Sequence, residues 1–188
     1  MSLTIPDLEA LQQAHPDWQM ELVDGEIVVM GPSDYESDEI SIRFAAYLWN
    51  WVNPRKLGRV TGSSAGFILP ADGGDSPKNR NLRAPDVSFV RAAQLKRTQR
   101  DFVELVPDLI VEVKSKTDQI EKLVTKIQMF LRLGTEVGIL IDPDRLTLTV
   151  YQLHQEPVVL TDGNTLILPQ MLPGWELAIS ELWPPVFE

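Results

Sequence analysis

Apolar and polar positions along this chain change period several times, and each change marks an element. Residues 20–23 and 26–30 are short β-rich runs on either side of Asp24-Gly25, a pair that supplies the positive φ of a tight turn, so an antiparallel hairpin is predicted there. Between residues 33 and 52 the period lengthens. Ile40, Phe44, Tyr47, Leu48 and Trp51 recur at helical spacing until Asn53-Pro54 ends the run, which predicts a long amphipathic helix. Ahead of the hairpin, Thr4 and Asp7 have capping-box spacing and open a short helix that stops near His15-Pro16.

Past residue 65, short apolar runs alternate with turn-rich stretches. Strands are predicted at residues 66–70 and 86–90, separated by a loop rich in Gly, Asp and Asn over residues 71–82. A charged connector, expected to be helical, leads to a strand at residues 109–114. Residues 118–133 return to helical spacing, and Gly134 stands at the C′ position of that helix. Further strands are predicted at residues 137–141, 147–153 and 157–160, joined by the turns Asp142-Pro143-Asp144-Arg145 and Asp162-Gly163-Asn164. No repeat or linker divides the chain, so residues 1–188 are expected to form one α/β domain with helices interleaved with a mixed sheet. The strand, helix, strand unit over residues 109–141 predicts a right-handed parallel crossover at its centre.

Composition narrows the function more than the fold. A hydrophobic share of 44% with 23% charged residues suits a globular chain. There is no cysteine, which excludes disulfides and thiolate zinc sites, and the two histidines, His15 and His154, are far apart in sequence; any metal is expected to be oxygen-bound. No signal-peptide pattern and no run of roughly 18–20 apolar residues occurs, so a cytoplasmic protein without a membrane partner is expected. The net charge of −10 opposes wholesale attraction to a polyanion. A nucleic-acid partner would need a local lining, for which Lys78, Arg80, Arg83, Lys96, Arg97, Arg100, Lys116 and Lys122 are the candidates, although scattered charges of this kind also describe an ordinary solvated face. The five tryptophans are expected to serve core packing rather than base stacking.

The chemistry-bearing stretch is Pro107-Asp108-Leu109-Ile110-Val111-Glu112-Val113-Lys114-Ser115. In a strand, Ile110, Glu112 and Lys114 share one face while Leu109, Val111 and Val113 share the other. An edge strand with a solvated face would show the same alternation, but this strand is strongly apolar and feeds a helix, which suggests a central strand where a Glu and a Lys are costly unless used. A divalent ion needs a second carboxylate. Asp108 lies four residues before Glu112, about 13 Å along a strand, too far to share one hard cation. Asp86 is the better partner, since it begins a separate strand that can lie about 4.8 Å away.

Pro85-Asp86 followed by Glu112-Val113-Lys114 resembles the signature of the PD-(D/E)XK nuclease superfamily. Residues 21–28, 83–90, 107–115, 126–134, 141–143 and 172–175 are similar, in order and over nearly the whole chain, to the family described as "putative restriction endonucleases". The resemblance implies a restriction-endonuclease-like core, a central mixed β-sheet flanked by helices with an added N-terminal hairpin. It also implies an endonuclease hydrolysing phosphodiester bonds in DNA, with Asp86, Glu112 and the Val113 carbonyl binding Mg²⁺, or Mn²⁺ in its place. Lys114 would orient or deprotonate the attacking water. Many relatives lack a lysine there and resemble enzymes whose lysine has moved to the next helix, which Lys126 matches, so both lysines stand as candidates. Where the family commonly reads Ser-Pro-Ser, this chain has Ser115-Lys116-Thr117. Glu36, at the entry to the long helix, is a candidate third carboxylate, or an acid placed there by the helix dipole. A homodimer would let two sites address two strands. The alternative is a nuclease-fold protein that binds nucleic acid without useful turnover.

Overall fold

A computed structural model describes residues 2–70 and 80–187 of the chain. Helix α1 (Ile5–Ala14) begins where the Thr4 backbone N–H donates to the Asp7 carboxylate at 2.8 Å, as the capping-box spacing predicts. Strands β1 (Gln19–Val23) and β2 (Glu26–Met30) form the expected hairpin, and Asp24 (φ 50°) with Gly25 (φ 81°) supplies the left-handed pair at its turn. Two two-residue strands, β4 (Phe67–Ile68) and β5 (Leu82–Arg83), extend this hairpin into a four-stranded sheet of order β2-β1-β5-β4. Leu8 of α1 packs on it with Met20, Leu22, Ile68 and Leu82. The strand expected at residues 66–70 is therefore shorter than predicted, and β5 lies in what reads as the end of a loop.

The main sheet has six strands in the order β10-β9-β8-β7-β6-β3. They are β3 (Gly58–Gly62), β6 (Val87–Arg91), β7 (Leu109–Val113), β8 (Val137–Asp142), β9 (Thr147–Tyr151) and β10 (Val158–Leu160). Only the β7–β8 pair is parallel, and helix α3 (Ile120–Leu133) makes the crossover between them. The sheet is thus mixed, as expected for the fold class. All five β7 residues are buried, which identifies it as a central strand covered on both faces.

Helix α2 (Tyr35–Val52) covers one face: Ile40, Phe44, Leu48 and Val52 pack with Val87, Phe89, Leu109, Val111 and Val113. Truncating fully buried Phe44 to Ala is expected to cost about 3–5 kcal/mol. Helix α3 covers the other face with Ile127 and Phe130 against Val90, Ile110 and Leu140. Its approach to β8 depends on Gly138, where a Cβ would stand 2.4 Å from a methyl of Ile127. Strands β11 (Thr165–Ile167) and β12 (Glu176–Ala178) pair separately and lead into a 3₁₀ turn (Ile179–Leu182), and Trp175 beside them meets Phe44 edge-to-face at 6.0 Å. Among the described residues, no helix is long and apolar enough to cross a membrane.

Two further expectations are corrected, and one strand of the main sheet was not predicted. Residues 92–106 form turns and bends rather than a helix: the polar run at residues 96–100 interrupts any apolar stripe, residues 92–95 bond back to Leu57 and Arg91, and Val103 bridges to Phe67. Strand β3 went unpredicted because glycines bracket an alternation of only three residues. Trp18 (43% exposed) and Trp49 (48%) stand outside the core that Trp175 enters and Trp51 and Trp183 flank.

Candidate active site

The β6–β7 ladder pairs Val87 with Val111, so one further step of the same register sets Asp86 opposite Glu112. The Val113 backbone N–H donates to Asp86 Oδ2 at 2.7 Å, which fixes the aspartate at the end of the ladder. Alternation along β7 turns Val111 and Val113 toward α2 and leaves Glu112 on the α3 side with Ile110. Helix α3 carries Lys126 beside its inward Ile127, and that lysine meets Glu112.

The Lys126 ammonium sits among four oxygens: Glu112 Oε1 at 2.9 Å and Oε2 at 3.1 Å, the Ala84 carbonyl at 3.1 Å and Glu21 Oε1 at 3.2 Å. Its hydrogen bonds go to Oε2 and the Ala84 carbonyl, so Glu112 Oε1, despite the close ion pair, accepts no hydrogen bond and is fully buried. Burial pushes the Glu112 carboxyl up to about 8, with Asp86 adding to the rise and Lys126 opposing it. Burial also raises Asp86, against the Val113 N–H and Lys126. For Lys126, burial alone would pull the ammonium down, but Glu112 and Glu21 outweigh it and hold the group above its ordinary value. Two carboxyls on neighbouring strand ends, both resisting ionisation, thus share one end of the sheet with a charged lysine.

Lys114 and Lys126 have different surroundings. Although the Lys114 backbone N–H still bonds to Ile141, the side chain leaves past the end of β7: its ammonium donates to Asp144 Oδ2 at 2.6 Å and to the Ser115 carbonyl at 3.3 Å. The geometry thus brings Lys126, not Lys114, onto Glu112. Glu36 is exposed and, among the described residues, has no side-chain partner; the acid at the start of α2 is Asp34, which accepts from Ser37 N at 2.9 Å and Lys116 N at 2.8 Å. Asp108 lies at the opposite end of β7, bound to Arg91 and Gln94, in agreement with its exclusion on distance.

The residue that sequence reasoning missed is Glu21. It is 3% exposed, and its signal was an acid between Met20 and Leu22 in a strand buried on both sides. Glu21 also takes Arg83, whose Nε lies 2.9 Å from Oε2, so Arg83 is withdrawn from the expected basic lining. Arg80 pairs with Glu104. Lys96, Arg97, Arg100, Lys116 and Lys122 are exposed, and Lys78 lies outside the described residues. Among the described residues, no group of three or more His, Asp or Glu side chains is arranged to hold a metal ion. A cation would therefore rest on Asp86 and Glu112 with backbone and water oxygens, a hard donor set suited to Mg²⁺ or Mn²⁺.

Comparison with known proteins agrees with this architecture. A crystal structure titled as a putative nuclease belonging to DUF820, from Anabaena variabilis ATCC 29413, superposes with a TM-score of 0.73 at 23% identity, covering 87% of this chain and 88% of that one. At that identity the likeness shows the fold. No curated protein matches the chain. The Uma2 family model, described as "Putative restriction endonuclease", matches residues 5–180, and the chain belongs to that family.

Proposed function

We propose that this chain is a metal-dependent endonuclease that hydrolyses phosphodiester bonds in DNA at the Asp86–Glu112–Lys126 end of β7. The observation that carries this function is Glu112 Oε1, a buried carboxylate oxygen without a hydrogen bond, opposite a second carboxylate and beside a lysine. Beyond the Lys126 ammonium at 2.9 Å this oxygen has no partner, and a buried carboxylate so sparsely satisfied is costly in a chain that has no use for it. Asp86 and Glu112 would hold Mg²⁺ or Mn²⁺, with the Val113 carbonyl as a further oxygen. The bound ion would polarise the scissile phosphate and lower the pKa of a coordinated water.

The protein's own groups supply the rest. The Val113 N–H holds Asp86 in one orientation, so that the carboxylate is in position before a cation arrives. Lys126 keeps its proton in the closed site and is suited to stabilise negative charge on the phosphate oxygens. We assign the lysine role to Lys126 over Lys114 because Asp144 engages the Lys114 ammonium. Glu36, exposed at the start of α2, is given no role. Two strands of duplex DNA call for two sites, so the active species is proposed to be a homodimer. Loss of turnover with retained binding is the second function considered, favoured by the net charge of −10 and by the engagement of Arg80 and Arg83 in ion pairs.

The test is cleavage of supercoiled and single-stranded DNA with Mg²⁺ or Mn²⁺ against a chelator control, comparing wild type with Asp86→Ala, Glu112→Ala, Lys126→Ala and Lys114→Ala. Cation-dependent cleavage lost in the first three variants and kept in the fourth is expected. Binding without cleavage by the wild type would favour the second function, and cleavage unchanged in both acid variants would refute the site.

A further inference from the structure

We propose that Glu21, in the N-terminal hairpin, is a positioning residue of this site: it holds Lys126 against Glu112 and clamps the backbone that leads into Asp86. The role presupposes the nuclease site above and adds a residue from a different sheet to it. Glu21 Oε1 accepts the Ala84 backbone N–H at 2.7 Å and lies 3.2 Å from the Lys126 ammonium, while Oε2 pairs with Arg83 Nε at 2.9 Å. Ala84 is gripped on both sides, since its carbonyl accepts from Lys126 at 3.1 Å. A closed ring therefore runs from Glu21 to Ala84 to Lys126 and back, two residues before Asp86 in the chain.

The hairpin is delivered by the small sheet, in which Leu22 pairs with Leu82 just ahead of Arg83. Met20 and Leu22 face the α1 core, so alternation turns Glu21 the other way, toward α3. Both Glu21 oxygens lie against protein groups, Oε1 against the Ala84 N–H and Lys126 and Oε2 against Arg83. A negative charge is needed at this place: Arg83 and Lys126 both pair with Glu21, and its loss leaves Arg83 without that partner and Lys126 with Glu112 as its carboxylate. An amide at position 21 would keep the Ala84 hydrogen bond and lose the ion pairs. Such a substitution separates the charge of Glu21 from its part in the fold.

The experiment compares wild type with Glu21→Gln and Glu21→Asp in two readouts. One is kcat and KM for DNA cleavage; the other is the exchange rate of the Lys126 ammonium hydrogens by lysine-selective NMR on the metal-free protein, the signal being identified with Lys126→Arg. Glu21→Asp keeps the charge one methylene short, and it serves if Glu21→Gln does not fold by circular dichroism. Expected are a fall in kcat on the order of 10-fold to 100-fold with KM little changed, and faster exchange of the Lys126 hydrogens. Wild-type kcat in the folded variants, or a fall in kcat with the Lys126 signal unchanged, overturns the positioning role. If wild type cleaves nothing, the nuclease function fails, and the Lys126 signal alone decides: unchanged exchange overturns the role of Glu21, and faster exchange supports it.

Discussion

Strand β7 carries a buried carboxylate at each end, and the two ends are built on opposite principles. At its entry, Asp108 accepts from Arg91 N at 2.7 Å, Arg91 Nη1 at 2.6 Å and Gln94 Nε2 at 2.9 Å, so both oxygens are satisfied. At its exit, Glu112 faces Asp86, leaves Oε1 without a hydrogen bond and titrates at about 8. Burial is nearly equal, at 3% exposure for each. The difference lies in the partners and not in burial: Asp108 takes three hydrogen bonds over both oxygens, whereas Glu112 takes one, from Lys126. The two Pro-Asp pairs illustrate this further, since Pro107-Asp108 and Pro85-Asp86 are alike as dipeptides and differ only in what surrounds them.

The largest expected effect is on turnover. Asp86→Ala or Glu112→Ala should lower kcat on the order of 1,000-fold, whereas Asp108→Ala should leave turnover unchanged and destabilise the fold. Losing the Asp108 carboxylate leaves the Arg91 N–H and Gln94 without their acceptor and is expected to cost about 1–3 kcal/mol, measured by urea unfolding. The contrast breaks if Asp108→Ala is as inactive as Glu112→Ala while still folded.

Next come the lysines. Lys126→Ala should lower kcat about 100-fold, and Lys114→Ala, which removes a contact to largely exposed Asp144, should leave it near wild type.

The pH dependence of stability sharpens the same comparison. Glu112 takes up its proton at about 8 in the folded chain and near 4.5 when unfolded, so between those values the folded state binds more protons. Metal-free stability should therefore fall as pH rises from about 4.5 to about 8, and Glu112→Gln should flatten that fall, read from chemical unfolding in chelator. The smallest effect is at the entry: Glu136, paired with Arg91 but 48% exposed on its side chain, has its carboxyl held below the ordinary value by that hydrogen bond. Glu136→Gln should cost about 1 kcal/mol or less at neutral pH, and less still in acid, where Glu136 itself protonates.

The long periodic elements were legible in the sequence: α2, α3, the β1–β2 hairpin and the β7–α3–β8 crossover follow from spacing and turn residues alone. What escaped has a physical reason in each case. Strand β5, two residues long, is stabilised by tertiary pairing and offers no period to read. Residues 92–106 have helix-forming composition, but the polar run at residues 96–100 interrupts any helical stripe, and Leu95, Val103, Leu105 and Val106 reach the core without one. At the site, alternation sufficed to turn Glu112 inward, and register sufficed to set Asp86 opposite it. It did not suffice for Lys114, because β7 ends at Val113 and the side chain beyond it turns to the β8–β9 connection. Glu21 escaped because its partners come from β5 and α3, 62 and more residues away in sequence, and no local pattern joins them.

The most direct test of the contrast between the two ends of β7 is Mn²⁺ binding followed by electron paramagnetic resonance, which needs neither substrate nor turnover. Wild type and Asp108→Ala should bind the ion alike, while Asp86→Ala and Glu112→Ala should lose it. Binding that survives in either acid variant, or that disappears with Asp108→Ala in a folded protein, would contradict the assignment of the exit end of β7 as the metal site.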